Sequence, residues 1–175
     1  MTYEFRPATL DDLPMLAIWL DAPHVARWWE DWDPYDAEDL ADPRFRAWIV
    51  SVGQRPFAYI QDYDVHGWEG HPFSFLPQGS RGIDLFIGPD DMAGQGHGPA
   101  FVRAFSDRLI AEGAPCVGVD PHPANARGVA AFAKAGFQPA GQPQDGPYGR
   151  YLPMVRVAVP GAECDEPEGG PPQPS

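Results

Sequence analysis

Apolar and polar residues alternate over residues 3–8, a period of two that predicts a first strand. The period then lengthens. Leu13, Leu16, Ala17 and Leu20 share one face of a helix opened by Leu10-Asp11-Asp12, with Asp11 or Asp12 as N-cap and Pro14 in the first turn. Pro23 starts a second short helix running to Trp29. Residues 30–43 are acidic and interrupted by Pro34 and Pro43, which predicts a loop with one helical turn. Residues 45–52 and 56–65 read as a hairpin joined near Gly53-Gln54, and 81–88 as a further strand. Between them, 66–80 is rich in Gly, Pro and aromatic residues and predicts a long loop, a feature usually tied to function in a small domain. Residues 99–112 place Phe101, Val102, Phe105, Leu109 and Ile110 on one helical face. A strand at 115–119, a helix at 126–135 closed by Gly136, and strands at 137–140 and 150–159 complete the pattern. This order, β-α-α-β-β-β-α-β-α-β-β, predicts an α/β domain with a mixed sheet.

Composition narrows what such a domain does. A chain of 175 residues is one domain with room for a core. Residues 1–159 form it, and the tail 160–175, rich in Gly, Pro and Glu, is expected to be disordered. No internal repeat is visible. Twenty-five acidic residues stand against 12 Lys and Arg. That argues against nucleic-acid binding, which needs a basic face. It suits either solubility alone or a cationic ligand drawn to an acidic cleft. Glu163, Asp165, Glu166 and Glu168 sit in the tail and are expected to touch no substrate. Cys116 falls in a buried strand and Cys164 in the tail, so a disulfide is not expected and a reducing cytoplasm is. No signal peptide or run of membrane-spanning length is visible, and no membrane partner is expected. The short last strands offer no clear interface, and a monomer is expected.

The most informative stretch is Met92-Ala93-Gly94-Gln95-Gly96-His97-Gly98, placed between the apolar strand ending at Ile87 and the helix from Pro99. Alternate glycines let the backbone bend tightly and approach a ligand. The free N–H groups of the helix start then face outward with the positive end of the dipole behind them. Gly94, Gln95, Gly96, His97 and Gly98 thus form a candidate pyrophosphate cradle. Pro99 removes one N–H just after it.

Downstream stand Asp120-Pro121-His122-Pro123-Ala124-Asn125-Ala126-Arg127 and Lys134-Ala135-Gly136-Phe137. Together these segments resemble the GNAT superfamily of acetyl-CoA-dependent N-acyltransferases over residues 3–157, most specifically over 81–137. Pro23-His24-Val25, Trp28-Trp29 and Arg81-Gly82-Ile83-Asp84 narrow the likeness to aminoglycoside 6′-N-acetyltransferases and related siderophore-biosynthesis acyltransferases. The resemblance implies a mixed, mostly antiparallel central sheet flanked by helices, with a splayed cofactor cleft. It implies that the backbone of Phe86 and Ile87 meets the thioester and pantetheine, and that Asn125, Arg127 and Phe132 line the cofactor. Ala93 stands where the superfamily favours Arg or Gln, and Phe132 where many members carry a tyrosine that protonates the leaving thiolate.

An aliphatic ammonium must lose a proton before it attacks a thioester, so a carboxylate near the acceptor is wanted. Asp84 lies among apolar residues on a central strand, where a carboxylate is costly without a partner or a task. Asp120 ends the next strand. In the aminoglycoside subgroup, acidic residues at both matching positions contact the drug, and the one matching Asp84 is proposed as base. The alternatives are a salt bridge from Asp84 to Arg81 or a lysine, and a cap or Asx-turn by Asp120 before Pro121. His24, Trp28, Trp29, Asp64 and Trp68 join the pair as acceptor-site candidates, since aromatic planes stack on sugars and cations. Trp32, Glu30, Asp31, Asp62 and Glu69 extend the same rim, and core packing is the plainer role for Trp28. The five histidines show no metal spacing, and no metal is expected. The reading is acetyl transfer from acetyl-CoA to a primary amine of a cationic, aminoglycoside-like molecule. The alternatives are an acyltransferase for an N-hydroxylysine-type siderophore precursor, supported by His24 and His122, and a non-catalytic acetyl-CoA-binding module, raised by Phe132.

Overall fold

The computed structural model describes residues 1–29, 32–160 and 164. Glu30, Asp31 and the remaining tail residues, about which the sequence raised expectations, lie outside the described residues. The chain runs β1 (Tyr3–Pro7), α1 (Leu13–Leu20), α2 (Pro23–Ala26), α3 (Ala37–Ala41), β2 (Phe45–Val52), β3 (Arg55–Asp64), β4 (Arg81–Ile87), α4 (His97–Ala111), β5 (Cys116–Val119), α5 (Ala126–Lys134), β6 (Gln138–Pro139), β7 (Gln144–Gly146), β8 (Gly149–Tyr151) and β9 (Met154–Val157). Its seven-stranded sheet has the order β1-β2-β3-β4-β5-β9-β6. Neighbouring strands are antiparallel except β4 and β5, which run parallel.

Side-chain alternation on β3 and β4 sorts the residues onto two faces. Ile60 and Ile83 face α4 and α5 and join Phe101, Phe105, Leu109 and Phe132 in the larger core. Tyr59 and Phe86 face the other way and pack under Leu16, Trp19, Leu20 and Val25. Gln61 and Asp84, paired across the strands, share that second face, as do Tyr63 and Gly82. The expected mixed, mostly antiparallel α/β architecture is therefore the one observed.

Several boundaries differ from the sequence reading, each for a local reason. Asp12 does not cap α1 with its side chain; its carboxylate accepts from Thr9 N–H at 2.8 Å and pairs with Arg6 at 2.6 Å. Helix α4 starts at His97 rather than Pro99, because Gly96 supplies a positive φ of 84° as its N-cap. Pro99 then falls within the first turn, where an N–H has no intrahelical partner to lose. The last apolar run is two strands, β8 and β9, separated by Leu152 and Pro153. A small hairpin of β7 and β8 precedes it; its residues carry no apolar alternation that would have marked it. Trp28 is half-buried rather than a core residue.

The structure also corrects the cysteine reading: Cys116 and Cys164 form a disulfide, with Cα atoms 6.6 Å apart. Spacing in sequence gave no hint, because the proximity comes from the β5–β9 register, which sets Val157 at the end of β9 opposite Cys116. Cys164 is 1% exposed there, among Tyr63, Val65 and Phe73. Among the described residues no helix is long and apolar enough to cross a membrane.

Candidate active site

The β4–β5 pairing is confined to Arg81 with Val117 and Gly82 with Gly118. Beyond that point β4 continues along β3 to Ile87, paired on one edge only. Gly88 turns the chain away beneath the indole of Trp19, which occupies the space any side chain at 88 would need. His24 bonds the Ile87 carbonyl through Nε2 at 2.9 Å, and its Nδ1 stands 3.5 Å from Asp90. The open edge of β4 is therefore held in place from the α2 side, and its unpaired peptide groups are free to meet an extended ligand as another strand would.

The glycine loop lies at the end of this edge. Gly94 and Gly96 have φ of 74° and 84°, so both glycines are used for their freedom. The Arg127 guanidinium, from the first turn of α5, lies against Gly94 where a side chain would sit. It makes no ion pair with another described residue, so it is an uncompensated cation at the mouth of a helix N-terminus. Asn125 caps α5, accepting from Gly128 N–H at 2.9 Å. His97 is tied to Tyr3 Oη at 3.0 Å, which anchors the loop to β1. These groups suit a pyrophosphate: open space at Gly96, outward amides and one free guanidinium.

The carboxylates lie on the second face. Asp84 accepts a 2.8 Å bond from Gln61 Nε2. Gln61 Oε1 in turn accepts from Tyr59 Oη at 2.8 Å, with Tyr35 Oη at 3.5 Å, which fixes the amide's orientation. Arg81, the alternative partner for Asp84, instead binds Asp62. Burial pushes the Asp84 carboxyl up to about 6, against the Gln61 bond, which holds it down. Asp120 is raised well above the ordinary carboxylate range by burial and by the Asp84 charge. Two carboxylates that each resist ionisation form a site wanting a cation.

Aromatic rings line the approach. Trp29 stands on Phe86 at 5.2 Å and on Trp32 at 4.9 Å; Trp32 meets Tyr148 of the β7–β8 hairpin at 6.1 Å. Trp28 lies against His122 at 5.7 Å, two residues from Asp120. Trp68 packs on Tyr63 at 5.7 Å under the Arg44 guanidinium.

Other candidates are placed elsewhere. Asp62 faces α4, buried between Arg46 and Arg81 with Trp48 Nε1 donating at 2.9 Å, and adds no charge to the rim. Asp64 accepts from His66 N–H at the end of β3, away from Asp84. Phe132 packs on Phe137 inside the core. Gln61, Tyr59, Tyr35 and Tyr63 went unremarked in the sequence; a glutamine following four apolar positions of β3 is the one signal that marked them.

A splayed mixed sheet, a glycine loop opening a long helix, and paired carboxylates beside the open strand define an acyl-CoA-dependent transferase. Residues 8–144 match the family model described as acetyltransferase (GNAT) domain. The chain belongs to the GNAT acetyltransferases. It is 31% identical over 171 residues to an aminoglycoside N(6′)-acetyltransferase type 1 of Klebsiella pneumoniae, covering 87% of this chain and 83% of the relative. Among solved structures, AAC(6′)-Ib with paromomycin and acetyl-CoA superposes with a TM-score of 0.81 at 28% identity, over 90% of this chain and 94% of that one. AAC(6′)-Ib with coenzyme A and kanamycin gives a TM-score of 0.80 at 28% identity, over 89% and 95%.

Proposed function

We propose that this protein transfers the acetyl group of acetyl-CoA to a primary amine of an aminoglycoside or a similarly polycationic small molecule. The observation that carries the reading is the Asp84–Asp120 pair beside the unpaired edge of β4. Acetyl-CoA supplies the activated carbonyl and a thiolate leaving group. The amides of Gly94, Gln95, Gly96, His97 and Gly98, with Arg127, hold the pyrophosphate. The backbone of Phe86 and Ile87 aligns the pantetheine and polarises the carbonyl. Asp84 takes a proton from the bound ammonium, a role its carboxyl of about 6 suits at neutral pH because it is ionised yet still basic. Asp120 holds the cation against it. Trp28, Trp29 and Trp32 stack on the acceptor's apolar faces. With Phe132 sealed in the core, the departing thiolate is protonated by solvent.

The site needs no metal, and the reaction belongs to the cytoplasm, where acetyl-CoA is made and used. Residues 1–159 carry the activity as a monomer, with the segment from 160 as a tail. His122 against Trp28 favours a second acceptor, a hydroxylamine of the N-hydroxylysine type.

The test is thiol release from acetyl-CoA with kanamycin, tobramycin, spermidine, N-hydroxylysine or no acceptor. Release with the aminoglycosides supports the reading. Release with N-hydroxylysine alone replaces it with the second. CoA binding without release from any acceptor overturns catalysis and leaves a binding module.

A further inference from the structure

The edge of β4 that faces away from β3 is not wholly open. Gly88 N–H donates to the Phe57 carbonyl at 2.9 Å, toward β3. The peptide bonds are trans, and across a trans peptide the carbonyl points opposite to the N–H that follows it. The Ile87 carbonyl therefore points outward, off the free edge. Within a strand a residue's N–H and C=O point the same way, and the direction reverses at the next residue. So Ile87 turns both groups to that edge, and Leu85, two residues earlier, does the same.

On that edge His24 Nε2 stands 2.9 Å from the Ile87 oxygen. A carbonyl only accepts, so Nε2 carries the hydrogen and donates it. The distance is that of a ladder bond between strands. Nε2 thus occupies the place that the N–H of an added strand would take. The ring is held from several sides. Its neighbour Val25 is 3% exposed, and the N–H groups of Val25 and Ala26 both donate to the Ala22 carbonyl at 2.8 Å. Asp90 stands 3.5 Å from Nδ1, and Trp19 closes over Gly88.

We propose that His24 is a positioning residue for the acyl donor: by filling the Ile87 carbonyl it sets the register in which the pantetheine arm of acetyl-CoA pairs with β4. The inference rests on the proposed acetyl transfer. The arm carries amides that could meet the edge in more than one register, as a weakly specified strand slips along its neighbour. With the Ile87 acceptor occupied, the outermost register is lost. The next carbonyl inward on the edge is that of Leu85, while the Ile87 N–H stays free to donate. Leu85 adjoins Asp84 in the chain, so this register brings the thioester end of the arm toward the carboxylate that takes the proton. A slip of two residues, about 7 Å along the strand, would carry the thioester out of reach.

The experiment compares wild type with His24→Gln and His24→Asn. The Gln amide nitrogen reaches the place of Nε2, and the Asn nitrogen only that of Nδ1, so the variants differ chiefly in the bond to Ile87. Acetyl-CoA carrying carbon-13 at the acetyl carbonyl is bound without acceptor, and its carbonyl stretch is read by difference infrared spectroscopy. The band is expected below that of the free thioester in wild type and the Gln variant, and close to the free position in the Asn variant. With kanamycin the Asn variant should lose roughly 10- to 100-fold in kcat, the scale of a misplaced reacting group. CoA affinity by calorimetry should barely change, because the glycine loop and Arg127 are untouched. A merely structural histidine would shift the thermal midpoint and leave the band where it is. An Asn variant with the wild-type band, a Gln variant that fails as Asn does, or a wild-type band no lower than that of the free thioester overturns the inference. The expected bands without acetylation of any amine overturn the proposed function and leave the register role of His24 standing.

Discussion

Asp84 is a charge kept where folding would rather not have it. Its carboxyl is raised in the folded chain relative to the unfolded one, so between about pH 4 and its own value of about 6 the folded state binds more protons. The contribution to stability is whole below that window and is lost as pH rises through it. Replacing Asp84 by Asn should therefore raise the thermal midpoint at pH 7.5 by an amount worth about 3 kcal/mol, and change it little at pH 4, in melts at both pH values. Wild-type kcat/KM is expected to fall on the acid side near pH 6; the same variant should lower kcat at least 100-fold and remove that acidic limb, while CoA binding by calorimetry persists. The limb belongs to the Asp84–Asp120 pair, which titrates together. Asp84 was legible as a residue out of place on an apolar strand. Its support was not: Gln61, itself held by Tyr59, meets it only through the β3–β4 register, and no local pattern records which residue faces which across two strands.

At the scale of elements, the glycine loop and α4 were plain in the sequence because φ-demanding glycines and a 3.6-residue period are local signals. The β7–β8 hairpin was invisible for the opposite reason. Gln144, Asp145 and Gly146 have no apolar face, and the hairpin is held by its pairing and by Tyr148 resting on Trp32. Gly94→Ala tests the loop. Its Cβ would enter the space of the Arg127 guanidinium at a φ of 74°, so CoA affinity should fall about tenfold, with a folding cost near 1 kcal/mol. Gly53→Ala is the control: φ is 54°, nothing lies within 4 Å, and the fold should pay alike while CoA affinity is untouched. Arg127→Ala should also weaken CoA, with a shallower salt dependence than wild type in calorimetric titrations at rising ionic strength.

Over the whole molecule, the sheet separates two tasks. The α4 side is a core fastened by Asp62 between two arginines; the other side is a floor of rings and carboxylates on which an acceptor can lie. The alternation of single strands foretold that division, and the acidic balance agrees with the cationic acceptor proposed for it. The bond from Cys164 to the start of β5 was not foretold, because a cysteine 48 residues from its partner carries no sign of the pairing. Cys164→Ser should cost about 2–4 kcal/mol in urea melts run without reductant, the scale expected for a loop of that length. With excess dithiothreitol, wild type and variant should converge.

The disulfide also changes the chain's topology. Residues 116 to 164 become a covalent ring that contains Asp120, Asn125 and Arg127. A protease that nicks the backbone anywhere inside that ring leaves one molecule, with both sides of the cleft still joined through sulfur. In an oxidising setting the enzyme can be cut and remain covalently whole, whereas in a reducing one the same cut leaves two chains joined only by their packing and by the pairing of β9 in the sheet.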